Sequence, residues 1–127
     1  MEWSMIQQTI QIFTEEEEVF LNLLIEVGIR KNTAKALVYL AKTLEATSRE
    51  IERGTDMRQP EVSTAIKHLD SKGWIKNRKV APSKKGRPIL NYSLAVPVKQ
   101  IMTSIEKQKR EESNHKLELI RKMKNYI

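Results

Sequence analysis

The segment "MRQPEVSTAIKHLDSKGWI", residues 57–75, concentrates side chains with compact or rigid hydrogen-bonding groups. An arginine such as Arg58 can donate two parallel hydrogen bonds to guanine O6 and N7, and a glutamine such as Gln59 can bond to adenine N6 and N7. Hydroxyls and lysines can contact bases or phosphates, and a proline ring or a threonine methyl group can touch a thymine methyl. The candidate residues for this chemistry are Arg58, Gln59, Pro60, Ser63, Thr64 and Lys67.

The same segment has the pattern of an amphipathic helix that would hold these groups on one side. Pro60 suits a first helical turn, where its missing N–H costs nothing, and Gly73 suits the end of the helix. We expect the Glu61 carboxylate to stabilise the positive N-terminal end of the helix rather than to accept a hydrogen bond from cytosine. The residues at helical spacing that predict its buried face are Val62, Ala65, Ile66 and Leu69.

The N-terminal part of the chain predicts a helix that begins with a capping box. Thr14 is a suitable N-cap, Glu17 stands three residues later, and Gly28 marks the end of the helix. The glutamates at 15–18 are placed where the helix dipole favours negative charge, an interpretation that we prefer to an acidic binding patch.

Two more helices are predicted between this helix and the opening segment. The first is expected to begin after Asn32 or Thr33. A second capping box, Thr47 with Glu50, opens a short helix that Gly54 is expected to end.

After Gly73 the pattern changes to two predicted strands, "WIKNRKV" and "ILNYSLA". The connection "APSKKGRP" holds two prolines and a glycine and is too long for a tight turn, so we expect a hairpin with an extended loop. A last helix is predicted to begin at Pro97 and to reach Tyr126. The expected fold class is therefore mainly α with a small β-hairpin.

This order of elements, and the residues within it, resemble winged helix-turn-helix transcription regulators of the MarR, ArsR and TrmB-like kinds. The resemblance covers roughly residues 28–95, and its most specific part is Gln59-Pro60-Glu61-Val62-Ser63 followed by Ile66, Leu69, Gly73 and Trp74. It implies that the helix of the opening segment enters the major groove of double-stranded DNA. A solvated polar face is the plainer interpretation for any one of its residues.

The hairpin supports DNA binding independently, because residues 72–87 contain seven lysines and arginines and no aspartate or glutamate. In the implied fold this hairpin is the wing, which touches the DNA backbone or the minor groove. Arg87, between Gly86 and Pro88, is the candidate for minor-groove insertion, and Lys84 and Lys85 are candidates for phosphate contacts. The complete set of wing candidates is Arg78, Lys79, Lys84, Lys85 and Arg87.

The charge of the whole chain also favours a polyanionic partner. The 127 residues carry a net charge of +7, and all 23 Lys and Arg follow residue 28. The absence of cysteine excludes disulfides and thiolate metal sites, and no apolar run is long enough to span a bilayer. We expect no cofactor, no metal, no membrane association and a cytoplasmic location. His68 is expected to pack or to face solvent rather than to bind a metal ion.

Operators read by this motif are usually palindromic, so we expect a homodimer with recognition helices about 34 Å apart. The predicted organisation is an N-terminal arm and helix at 1–28, the DNA-binding domain at 29–96 and a dimerisation helix at 97–127. Both terminal helices are expected to contribute to the interface, since three helices and a wing already close a core without the N-terminal helix. The alternative is that the last helix caps the core of its own chain. The interface candidates are Val19, Phe20, Leu23, Val98, Met102, Ile105, Leu119 and Met123.

Other functions stay open at the level of sequence. An enzyme is not expected, because no catalytic set of side chains stands out. A winged-helix subunit that binds protein in a transcription or replication assembly would ordinarily lack the basic wing. Non-specific, chromatin-type DNA coating would show little difference between operator and random DNA. The sequence does not identify a small-molecule effector.

Overall fold

The computed structural model describes residues 13–80, 86 and 88–127. It confirms a mainly helical fold with a small antiparallel sheet, and it divides into two compact units, the first ending at Ala95 and the second beginning at Val96. The elements are α1 (Glu15–Val27), α2 (Lys31–Ala41), β1 (Ala46–Thr47), α3 (Ser48–Thr55), α4 (Gln59–Ser71), β2 (Ile75–Val80), β3 (Ile89–Leu94) and α5 (Val98–Lys124).

Both expected capping boxes are present. The Thr14 hydroxyl accepts from the Glu17 N–H at 3.1 Å, while the Thr14 N–H donates to the Glu17 carboxylate at 2.9 Å. Thr47 and Glu50 repeat this exchange at 3.2 and 2.8 Å. Gly28 ends α1 with a φ of 114°, a left-handed conformation that glycine adopts without steric cost.

Two helix boundaries differ from the expectation. Helix α2 begins at Lys31, with Arg30 as its N-cap, because the Ala34 N–H already donates to the Arg30 carbonyl at 2.8 Å. The Thr33 hydroxyl does not cap the helix, since it lies 3.1 Å from the Nδ1 atom of His68. Thr33 therefore connects α2 to α4.

Helix α3 does not end at Gly54 but continues to Thr55, and Asp56 takes the left-handed capping position with a φ of 56°. Gly54 is required for another reason: a Cβ atom built there would lie 2.1 Å from the Tyr39 ring. The glycine thus allows α2 and α3 to approach closely, which the sequence alone does not reveal.

The core of the first unit is formed by aliphatic side chains from α2, α3 and α4. Leu37, Ile51, Val62 and Leu69 are all completely buried. Helix α1 also contributes, because Leu21 and Leu24 are 4% exposed and α1 packs against α2. The expectation that the core closes without α1 was therefore wrong: the spacing of these two leucines places one side of α1 inside the unit.

The sheet has the strand order β1-β3-β2. Strands β2 and β3 form the expected antiparallel hairpin, with a register that runs from Ile75 opposite Leu94 to Val80 opposite Ile89. Strand β1 was not predicted, since two residues are too few to show a periodicity. It pairs antiparallel with β3 and so joins the segment before α3 to the hairpin.

The second unit contains the 27-residue helix α5. Ile101 and Ile105 are buried, whereas every residue from 110 onward is exposed. No helix among residues 13–80, 86 and 88–127 is long and apolar enough to cross a membrane.

Candidate nucleic-acid interface

Helix α4 separates its residues into a buried face and a polar face. Val62, Ala65 and Leu69 are at most 1% exposed, and Ile66 is half-buried. These aliphatic contacts fix the orientation of the helix within the unit. The candidate residues lie on the other side or at its start: Arg58, Gln59, Pro60, Thr64 and Lys67 are exposed, and Ser63 is half-buried.

The N-terminal end of α4 is stabilised by Glu61. Its carboxylate accepts a hydrogen bond from the Arg58 N–H at 2.9 Å. The carboxylate thus stabilises the positive end of the helix, as expected. Arg58 is the N-cap residue, and only its backbone takes part in this bond, so the structure leaves the exposed guanidinium at the very start of the helix.

The Thr64 hydroxyl is partly used within the helix. It donates to the Pro60 carbonyl at 3.0 Å. Its oxygen can still accept a hydrogen bond, but its proton already has a partner.

A shallow groove connects the polar face of α4 to the sheet. It is lined by Ser48, Gln59, Ser63, Ile66, Lys67 and Tyr92. Tyr92 belongs to β3, so one strand of the hairpin and the outward side of α4 border the same surface. This juxtaposition is what a winged helix needs if its helix and its wing are to meet one duplex.

Two residues of this groove were missed by sequence reasoning. Neither Ser48 nor Tyr92 was among the candidate residues of the sequence analysis. Tyr92 is only half-buried, and burial, with Asp70 as a second cause, raises the pKa of its hydroxyl. The phenol therefore stays protonated and can donate a hydrogen bond. The pairing of Ala46 with Tyr92, which brings β3 beside the start of α3, could not be read from the sequence.

The candidates in the wing fall into two groups. Lys79 and Arg78 lie on β2 and are exposed. Lys84, Lys85 and Arg87 lie outside the described residues, and their roles stay predictions.

Arg78 is engaged in a three-residue cluster at the base of the wing. Its Nε and Nη2 atoms donate to the two carboxylate oxygens of Glu45 at 3.0 and 2.5 Å. The Asn91 side chain donates to the same carboxylate at 3.1 Å. The hydrogen bond from Arg78 lowers the pKa of Glu45, and the bond to Glu45 raises the pKa of Arg78.

His68 packs as expected. Burial first, and then the charges of Arg30 and Lys72, lower its pKa, which favours the neutral ring. The part of the chain that the structure describes contains no group of three or more acidic or histidine side chains placed to hold a metal ion.

The candidates for a subunit interface differ in the surface they offer. In α1, Val19 and Leu23 are 58% and 57% exposed, while Phe20 is half-buried. At the start of α5, Val98 and Met102 are half-buried, and Ile105 is buried within the single chain. Ile105 therefore has little surface left for a partner.

The end of α5 offers more apolar surface than the sequence analysis assigned to it. Leu119 and Met123 are 44% and 60% exposed. Leu117 and Ile120, which were not among the candidates, are 57% and 46% exposed. The exposed apolar surface at the end of α5 therefore includes residues that the sequence analysis did not select.

Comparison with protein families identifies one match. The family model described as "Sugar-specific transcriptional regulator TrmB" matches residues 16–90, which is more than half of the chain. A search of curated proteins finds no match.

Solved structures show the same fold. TrmBL2, described as an archaeal chromatin protein with a novel mode of DNA binding, is 20% identical with a TM-score of 0.68. The alignment covers 86% of this chain and 39% of TrmBL2, so this chain spans well under half of the length of that relative.

Two further structures are similar over most of both chains. A possible transcriptional regulator from Methanosarcina mazei Go1 is 10% identical with a TM-score of 0.58, covering 76% of this chain and 82% of the other. A MarR family transcription regulator, SP03579, is 19% identical with a TM-score of 0.50, covering 93% and 74%.

Proposed function

The chain belongs to the TrmB family of winged-helix, DNA-binding transcription regulators, and we propose that it is a homodimer that binds a specific sequence in double-stranded DNA. In this proposal α4 is the recognition helix and enters the major groove. The wing, meaning β2, β3 and the residues between them, lies on the DNA backbone or in the minor groove.

The observation that carries the proposal is the groove shared by α4 and β3. Gln59, Ser63 and Lys67 line it together with Tyr92, so the residues with base-reading chemistry border the wing strand. The helix that presents them is held by the buried side chains of Val62, Ala65 and Leu69, which give the polar groups a fixed geometry. Fixed geometry is what bidentate contacts to base edges require.

Individual roles follow from chemistry. Arg58 pairs with guanine and Gln59 with adenine, while Lys67 contacts phosphate or a base. Ser48 and Tyr92, at the sheet side of the groove, contact the backbone. Lys79 on β2 is the phosphate contact of the wing among the described residues, and Lys84, Lys85 and Arg87 extend it beyond them.

We assign the dimer interface to the exposed apolar residues of α1 and of the end of α5. Val19 and Leu23 lie one turn apart on α1, and both are more than half exposed. The end of α5 adds Leu119, Ile120 and Met123. Apolar groups in such clusters usually mark association surfaces. A second copy is the occupant that the two-fold symmetry of palindromic sites calls for.

One alternative within DNA binding has an observation in its favour. Lysines and arginines greatly outnumber aspartates and glutamates after residue 28, and the similar TrmBL2 is described as a chromatin protein. Coating of DNA without sequence preference would use the same surfaces. We favour specific binding because Gln59, which lines the groove, carries no charge and so adds nothing to charge neutralisation.

The test compares binding of the full chain to a selected duplex and to random duplexes over a range of salt. Specific binding predicts a clear preference for the selected sequence and an affinity that falls steeply with salt, because phosphate contacts release counterions. Equal affinity for both duplexes at every salt concentration would favour coating, and no binding to either would overturn the proposal.

A further inference from the structure

The cluster of Glu45, Arg78 and Asn91 lies on the sheet that forms the proposed wing, on the face opposite to Tyr92, and points to a role other than contact. Glu45 directly precedes β1, Arg78 lies on β2, and Asn91 lies on β3. One carboxylate therefore joins the segments of all three strands of the sheet. Both Glu45 oxygens are used, one by Arg78 alone and the other by Arg78 and Asn91 together.

The register of the sheet explains why these three side chains meet. Arg78 stands directly opposite Asn91, and Asn91 stands opposite Thr47 on the other side of β3. The side chain of Glu45, two residues before Thr47, reaches across β3 to Arg78. A bidentate contact between arginine and a carboxylate fixes both groups more firmly than a lysine pair would.

We propose that Glu45 is a positioning residue for DNA binding, which holds the base of the wing through Arg78 and Asn91 and keeps the charge of Arg78 from phosphate binding. The proposal rests on the proposed DNA binding and changes one assignment within it. Arg78 was expected to contact DNA, and it instead forms a nearly neutral pair with Glu45. Such a pair has little net charge with which to displace counterions from DNA.

Lys79, the next residue on β2, provides the comparison within the same strand. It is exposed, and among the described residues no ion pair involves it. Arg78 is 63% exposed as well, so exposure does not distinguish the two cations. The two cations differ in the carboxylate that only Arg78 holds and in the face of the sheet on which they lie, because adjacent residues of a strand point to opposite faces.

The first experiment measures how the affinity of the full chain for random-sequence duplex depends on salt. The slope of log K against log salt concentration is negative, and each phosphate contact adds about 0.9 to its magnitude, which is the quantity compared below. We expect Arg78→Gln to leave the slope unchanged and Lys79→Gln to reduce it by about 0.9. We expect Glu45→Gln, which frees the arginine, to increase the slope by about 0.9, and the double variant Glu45→Gln with Arg78→Gln to remove that increase.

Two results would contradict the proposal that Glu45 keeps the charge of Arg78 from phosphate binding. One is a decrease for Arg78→Gln equal to that for Lys79→Gln. The other is an unchanged slope for Glu45→Gln. If the unmodified chain does not bind duplex DNA, the proposed function fails instead, and the positioning role is judged by a second experiment that needs no DNA.

The second experiment measures hydrogen exchange of backbone amides in the free protein. We expect Glu45→Ala to speed exchange of the β2 and β3 amides about threefold to tenfold. The variant removes hydrogen bonds that stabilise the closed sheet, so local opening should become more frequent. Exchange in the buried part of α2 should not change. Unchanged exchange in β2 and β3 would show that Glu45 does not hold the base of the wing.

Discussion

Helix α4 and the end of α5 both carry apolar and polar residues. Packing covers most of the apolar residues of α4 but none of those at the end of α5. In α4 the apolar residues Val62, Ala65 and Leu69 are buried, and the exposed side carries Gln59, Thr64 and Lys67. In α5 from residue 110 onward nothing is buried, so the apolar residues stay exposed along with the charged ones.

This difference indicates the kind of partner that each helix suits. A helix whose apolar side is buried needs no partner for stability, so its polar side is available to hydrogen-bond a ligand such as DNA. A helix with an unburied apolar side gains free energy by covering it, at roughly 25 cal/mol per Å². The first pattern suits recognition, and the second suits association of subunits.

The largest expected effect comes from the buried side of α4. Leu69→Ala should lower the free energy of unfolding by about 2–5 kcal/mol, because it leaves a cavity among packed side chains. Lys67→Ala, on the exposed side of the same helix, should change it by about 0.5 kcal/mol or less. Urea unfolding measures the free energy of unfolding of both variants. Equal decreases for the two variants would contradict the difference between the buried and the exposed side of α4.

The next effect concerns the end of α5. Ile120→Glu together with Met123→Glu should convert the proposed dimer to a monomer, since each apolar side chain contributes about 1.5–3 kcal/mol when buried. Asn114→Glu adds one acid on the opposite side of the helix and should leave the dimer intact. Light scattering on the full chain measures both. A double variant that stays dimeric would move the interface to Val19 and Leu23 of α1.

A smaller effect is expected on the exposed side of α4. Arg58→Ala should reduce discrimination at one base position of the selected sequence by about 1–3 kcal/mol. Arg110→Ala removes the same charge from α5 and should leave discrimination unchanged. Competition between duplexes that differ at single positions measures this. An equal loss of affinity for all duplexes would mean that Arg58 contacts only the backbone.

The smallest effect belongs to a single phosphate contact of the wing. Lys79→Ala should weaken binding to all sequences alike and lower the salt slope by about 0.9, without changing sequence preference. Titrations of the selected and a random duplex at several salt concentrations measure it. A change in preference at one base position would instead place Lys79 at a base edge.

The sequence was sufficient for features that depend on nearby residues. Capping boxes at Thr14 and Thr47, the end of α1 at Gly28 and the two strands of the hairpin follow from local chemistry, and all are confirmed. The polar face of α4 was also predictable, because it follows from helical spacing.

Features that depend on distant residues were not predictable. The contact of Tyr39 with Gly54 and the pairing of Glu45 with Arg78 join residues that are far apart in the chain. The two-residue strand β1 exists only because β3 lies beside it. For the same reason the sequence could not tell that Ile105 is already buried whereas Ile120 is not.

The most direct test of the central claim, that the exposed side of α4 reads DNA sequence, is selection of bound duplexes from a random pool by the full chain. The account predicts enrichment of a palindromic motif with half-sites about 10 base pairs apart, centre to centre, and loss of one position in each half-site for Arg58→Ala. A pool that stays random while the protein binds it would contradict the account.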